Sequence, residues 1–123
     1  PEVTVTLLGG TIRRENASMV GMLAETALER LWFDQLFLGA GAIAEDGSIS
    51  GMDEQEARLN TLMLGRARAP IVLSDADKFG RRLTYGVGTL AAGAQVVTDA
   101  RLSADWHHRL AELGVGLTVA EAP

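Results

Sequence analysis

The sequence predicts an α/β domain built on a mainly parallel sheet with helices on both faces. Three observations carry that prediction. Short β-branched or apolar runs alternate with segments of helical period along nearly the whole chain. The connections between them are of turn length, as in successive crossover units. Two of the apolar runs, Leu36 to Leu38 and Ile71 to Leu73, lead directly into glycines or polar residues, so reactive groups collect where strands end. In open α/β sheets that edge is where ligands bind.

Taken in order, Val3 to Leu8 is apolar and β-branched and stops at Gly9 and Gly10, the pattern of a buried strand meeting a loop. From Ser18 to Phe33, Val20, Leu23, Ala24, Ala27, Leu28 and Leu31 recur at helical spacing, with Glu25, Glu29 and Arg30 off that stripe. The strand at Leu36 to Leu38 follows. Asp53, with Glu56 three residues on, makes a capping-box-like start to a helix whose buried stripe is Leu59, Leu62 and Met63 and which ends before Pro70. Ile71 to Leu73 restarts a strand, and Thr84 to Val87 and Gln95 to Thr98 are shorter strand candidates. Ser103 caps a helix carrying Trp106, Leu110 and Leu113. Gly114 ends that helix, and Gly116 to Val119 is the last strand.

Composition narrows the function classes. A chain of 123 residues, 47% of them hydrophobic, is expected to be one domain with its own core. It has no cysteine, so disulfides and thiolate metal sites are excluded. No apolar run approaches the roughly 20 residues of a membrane span, and no signal peptide is visible, so a membrane partner is not expected. The net charge is −5, and the only dense basic group is Arg66, Arg68, Arg81 and Arg82. That is not a phosphate-backbone footprint, so direct DNA contact by this segment is not expected. Beginning at Pro1 and entering a strand almost at once, the chain reads as an N-terminally truncated piece of something longer.

The richest segment runs from Leu36 to Gly80. Gly39 to Ala44 fits the dinucleotide pattern GxGxxA after a strand, but Glu45 to Gly51 is a poor helix former. A dinucleotide loop needs a helix there to present amides to the pyrophosphate. The glycines fit either a tight strand exit or a backbone that admits a ligand closely. Asp53 and Glu56 fit a capping pair, yet Glu56 could instead face the loop of Gly39. Lys78 could be a solvated loop lysine or a point charge for a phosphate or carboxylate. His107 and His108 are adjacent on a helix, about 100° apart, and cannot chelate one ion as an i, i+4 pair could. Ser18, Ser48, Ser50 and Ser74 have no nucleophile-elbow context. No metal or cofactor is expected.

With those residues in view, the chain resembles the C-terminal sensor domain of DeoR-type transcriptional regulators. The resemblance rests on VTLLGG ending at Gly10, VGMLAE at Val20 to Glu25, FLGAGAI at Phe37 to Ile43, DEQEA at Asp53 to Ala57, LSDADKFG at Leu73 to Gly80 and VVTD at Val96 to Asp99. Their order spans nearly the whole chain, and LSDADKFG one helix after DEQEA is the most specific part. The resemblance implies a Rossmann-like fold of the ribose-5-phosphate-isomerase kind. It also implies a cytoplasmic regulator that senses a phosphorylated sugar or related metabolite, forms a homo-oligomer and contacts DNA only through an N-terminal winged helix absent from this sequence. By the same resemblance, the first sensor strand with its phosphate loop would precede Pro1.

The expected effector site is Gly39, Ala40, Gly41, Asp53, Glu56 and Lys78, with Lys78 on the phosphate, the carboxylates on hydroxyls and the glycines admitting the ligand. Gly41 and Ala42 stand where the resembling isomerase carries carboxylates. Proton shuttling between an aldose and a ketose therefore lacks part of its machinery. A sensing domain without catalysis is the leading expectation, an isomerase-like enzyme the second, and a nucleotide-binding module the third.

Overall fold

The computed structural model describes residues 2–121. Pro1, where the expected truncation falls, lies outside them. The first elements are β1 (Thr11–Ile12), β2 (Met19–Val20), α1 (Met22–Leu28) and β3 (Leu36–Gly39). A hairpin of β4 (Ala42–Ile43) and β5 (Ser48–Gly51) precedes α2 (Glu54–Leu64) and β6 (Pro70–Leu73). A 3-10 turn at Ala76–Lys78, β7 (Tyr85–Thr89), β8 (Gln95–Asp99), α3 (Ala104–Glu112) and β9 (Gly116–Ala120) complete the order.

The main sheet is wholly parallel, in the order β3-β6-β8-β9. Its register sets Leu36 beside Pro70 and Gly39 beside Leu73, so β3 and β6 end level with each other. The expected α/β class with a parallel sheet is therefore what the chain forms. Its remaining strands are antiparallel: β4-β5-β7 make a second sheet, and β1 pairs with β2. The candidate strand Thr84 to Val87 belongs to that second sheet, as β7.

Helices cover one face of the parallel sheet, not both as the sequence suggested. Leu36, Leu38, Val72 and Val96 share a buried core with Ala57 of α2, Leu110 of α3, and Ile43 and Ile49 of the small sheet. On the opposite face Phe37 is 60% exposed and Leu73 44%. The reason is topological. The strand order advances one way from β3 to β9, and right-handed crossovers taken in one direction all land on the same face. Covering the other face would require chain running beyond β3.

Three elements depart from expectation. Val3 to Leu8 forms no strand, and Val3, Val5 and Leu7 are exposed, because no neighbouring strand among the described residues offers their amides a partner. The helix expected over Ser18 to Phe33 is confined to Met22–Leu28. Gly21, at φ +97°, turns the chain out of β2 before it. At its far end Arg66 donates to the carbonyls of Leu31 and Glu29 at 2.7 and 2.8 Å, satisfying groups a continuing helix would have used. The β4–β5 hairpin was not expected as strands, although Asp46-Gly47 at its tip, with Gly47 at φ +88°, is a hairpin signal.

The expected caps form. The amide of Glu56 donates to the Asp53 carboxylate at 2.8 Å, and that of Trp106 to Ser103 Oγ at 3.3 Å. Gly114 takes φ +75° just past α3. Phe79 and Trp106 meet edge to face at 5.1 Å, tying the segment after the 3-10 turn to α3.

Two measurements check this architecture. Replacing Asp53 with Ala removes the α2 cap and should lower unfolding free energy by about 1 kcal/mol in urea titrations; an unchanged midpoint would mean that water serves the Glu56 amide equally well. Among the described residues β3 is bonded on one side only, beside exposed Phe37. Light scattering on the chain should show concentration-dependent association that Phe37→Lys reduces. A strict monomer at all concentrations would contradict the sticky-edge reading.

Candidate functional site

Level strand ends create the site. Beyond Gly39 and Leu73 two adjoining cavities open at the carboxyl edge of the parallel sheet, of about 150 and 350 Å³. Arg13, Ser50, Asp53 and Asn60 help line the smaller, and Ala40, Ser74, Asp75 and Lys78 the larger. Gly39, Gly41 and Glu56 line both. All six residues singled out from the sequence thus border this one region.

Their local roles differ. A Cβ on Gly39 would meet nothing within 4 Å, so this glycine leaves room over the strand end. Gly41 has a packing reason: a Cβ there would sit 2.9 Å from the Ser50 carbonyl oxygen and 3.2 Å from Leu83 Cδ1, where β4 lies tight on β5. Ala40, between them, is buried. After Ala42 the chain enters the hairpin and not a helix, so the loop lacks the amide cluster that a dinucleotide needs.

Asp53 and Glu56 form only half of a capping box. Asp53 caps α2, but the Glu56 carboxylate does not return to it. It pairs with the Arg13 guanidinium and accepts from Asn16 Nδ2 at 3.2 Å. Arg13 also lies 3.6 Å from Asp53. Arg13 and Asn16 were not anticipated, since their partners are some 40 residues away and no local pattern announces such a pairing.

Lys78 is the sole lysine of the sequence. It is partly buried and makes no ion pair among the described residues. The turn that carries it is held by carboxylates at neighbouring strand ends. Asp75 accepts from the Asp77 amide at 3.1 Å, and Asp99 of β8 accepts from the Ala76 amide at 2.9 Å. Arg101 clamps Asp99 and Asp77 together at 3.1 and 3.2 Å. Hydrogen bonds from Arg101, then from the Ala76 amide, hold the Asp99 carboxyl well below the usual range, while Arg101 stays charged.

Of the other candidates, only Ser50 and Ser74 border the two cavities. His107 and His108 are exposed on α3. Ser50 Oγ is spent accepting the Leu83 amide at 2.8 Å, and Ser18 donates to Asn16. Among the described residues no three His, Cys, Asp or Glu side chains cluster to hold a metal. The arrangement offers one cation outside any ion pair among the described residues, the carboxylates of Asp53, Glu56 and Asp75, and an open glycine floor, which suits binding of an anion bearing hydroxyl groups.

The two glycines can be separated by substitution. Gly41→Ala should cost about 1–3 kcal/mol in denaturant unfolding, because the added methyl overlaps backbone. Gly39→Ala should leave stability nearly unchanged. Equal stability losses for the two would refute the assignment of different roles.

Residues 1–100 match the family model described as the DeoR C terminal sensor domain. The chain is 36% identical over 111 residues to the HTH-type transcriptional regulator GlpR of Haloferax volcanii, covering 90% of this chain and 44% of that protein. It is 34% identical over 113 residues to a putative aga operon transcriptional repressor of Escherichia coli O157:H7, covering 92% of this chain and 42% of that one. The glycerol-3-phosphate regulon repressor of Escherichia coli is 27% identical over 96 residues, 78% of this chain and 38% of its own length. The chain therefore spans less than half the length of these relatives, which are named as transcriptional regulators and not as enzymes. By its match to the sensor-domain model and its identity to these regulators, the chain belongs to the DeoR family of transcriptional regulators.

Proposed function

We propose that this domain is the effector-sensing part of a repressor, and that its effector is a phosphorylated sugar or a related phosphorylated metabolite. The observation that carries the reading is Lys78: a partly buried cation with no ion pair among the described residues, lining a cavity at the ends of two parallel strands. A compact ammonium in that position suits a phosphate. Glu56 borders both cavities and Asp53 the smaller one, and both carboxylates suit hydroxyl donors. The name of the glycerol-3-phosphate regulon repressor supports a phosphorylated effector for the family.

The rest of the regulator follows from that role. DNA contact falls to a winged helix outside these residues, the protein works in the cytoplasm as a homo-oligomer, and no described helix is long and apolar enough to cross a membrane. Catalysis is not part of the proposal. Gly41 and Ala42 bring no carboxylate to the loop where an aldose–ketose proton transfer would need a base.

Thermal unfolding of the full-length protein tests the effector. A phosphorylated sugar at a hundred times its Kd should add about 2.7 kcal/mol of stability. The unphosphorylated sugar should add far less, and Lys78→Gln should erase the difference. Equal responses to sugar and sugar phosphate would argue against this pocket. In coupled assays no aldose–ketose interconversion should appear; turnover that Glu56→Gln abolishes would overturn the sensor reading.

A further inference from the structure

The pocket contains a second cation, and its surroundings are unlike those of Lys78. Arg13 lies on the loop joining β1 to β2, with its side chain 19% exposed. Three carboxylates surround it: Glu15 at 3.5 Å, Asp53 at 3.6 Å, and Glu56 in direct contact. One guanidinium against three carboxylates leaves this end of the pocket negative. It therefore disfavours a phosphate and offers acceptors to hydroxyl groups. Lys78 lines the larger cavity with Asp75 and Glu56 and makes no ion pair among the described residues. Glu56 is the wall the two cavities share.

Resting on the sensor reading above, we propose that Arg13 and Asn16 are specificity-determining positioning residues: they hold the Glu56 carboxylate for the hydroxylated end of the effector while Lys78 takes its anion. Asn16 Nδ2 lies 3.2 Å from both Glu56 oxygens, and Asn16 Oδ1 accepts from the Ser18 amide at 3.2 Å and from Arg13 at 3.2 Å. The loop is also tied to itself, with the Arg13 amide donating to Ser18 O and the Ala17 amide to Arg13 O, both at 2.8 Å. Among the described residues, the loop's side chains reach the rest of the domain through polar contacts only at Asp53 and Glu56.

A free glutamate samples several rotamers. One clamped by two donors has already lost that freedom, so a ligand hydroxyl meets an acceptor already in place. β1 and β2 share only two residue pairs, which makes the clamp a main anchor of the loop as well. Discrimination between an esterified sugar phosphate and bare phosphate would then reside in Arg13 and Asn16, at a distance from the phosphate itself.

Calorimetry on the full-length protein tests this with inorganic phosphate beside fructose 6-phosphate, ribose 5-phosphate and glycerol 3-phosphate. The variants are Arg13→Gln and Asn16→Asp. The second keeps the oxygen that Ser18 bonds but sets a negative charge against Glu56, so it leaves the loop's own bonds intact if the first destabilises the fold. Each should weaken the sugar or polyol phosphates that bind by about tenfold or more, the loss of a charge-assisted hydrogen bond, and leave inorganic phosphate within about twofold. Lys78→Gln should weaken both classes. Variants that bind the phosphate esters as the wild type does, or that lose phosphate and esters in equal proportion, would overturn the role of Arg13 and Asn16 while leaving the effector reading standing. A wild-type protein that binds none of the probes would overturn the effector reading itself and this inference with it.

Discussion

The parallel pairing of β3 with β6 is the constraint on which the rest of this domain depends. Setting Gly39 beside Leu73 brings two strands to an end at the same level, and everything chemically interesting hangs from that edge. The chain leaving β3 must turn back through a hairpin and α2 before it can enter β6, so Asp53 and Glu56 arrive over the same edge from the other direction. The chain leaving β6 makes a 3-10 turn pinned by Asp99 from the next parallel strand, which sets Lys78 beside them. A one-residue slip of the pairing would turn every buried residue of β3 to the outside and disperse the site.

Division of labour at the start of α2 explains how one short motif serves both fold and site. Asp53 caps the orphan amide of Glu56, while the Glu56 side chain does not return to the Asp53 amide and turns instead to Arg13 and Asn16. The Arg13 guanidinium then sits inside a cluster of carboxylates, while the Lys78 ammonium makes no ion pair among the described residues. In the proposed reading, a ligand carrying both hydroxyls and an anion suits that arrangement.

Much of this was legible in the residues. Caps at Asp53 and Ser103, the turn at Gly114, the strands around Leu38, Val72 and Val96, and the grouping of Gly39, Glu56 and Lys78 all follow from local pattern or from the resemblance of their motifs. What the sequence hid was long-range. Gly41 looks like a ligand-loop glycine, but its reason is the nearby Ser50 carbonyl. Glu56 looks like half of a capping box until Arg13, 43 residues earlier, takes its carboxylate. Val3 to Leu8 has the composition of a buried strand, yet composition cannot say whether a partner lies beside it. Coverage of only one sheet face is a consequence of strand order, which no local periodicity encodes.

The central claim is that Lys78 holds the anion of the effector. Because it is the only lysine in the chain, its ammonium gives a single nitrogen signal at the side-chain Nζ in NMR spectra. Titration with a phosphorylated sugar should shift that signal saturably, together with the amides of Gly39 to Gly41. A ligand that binds, as seen in backbone amide shifts elsewhere, while leaving the Lys78 Nζ signal unmoved would contradict the account.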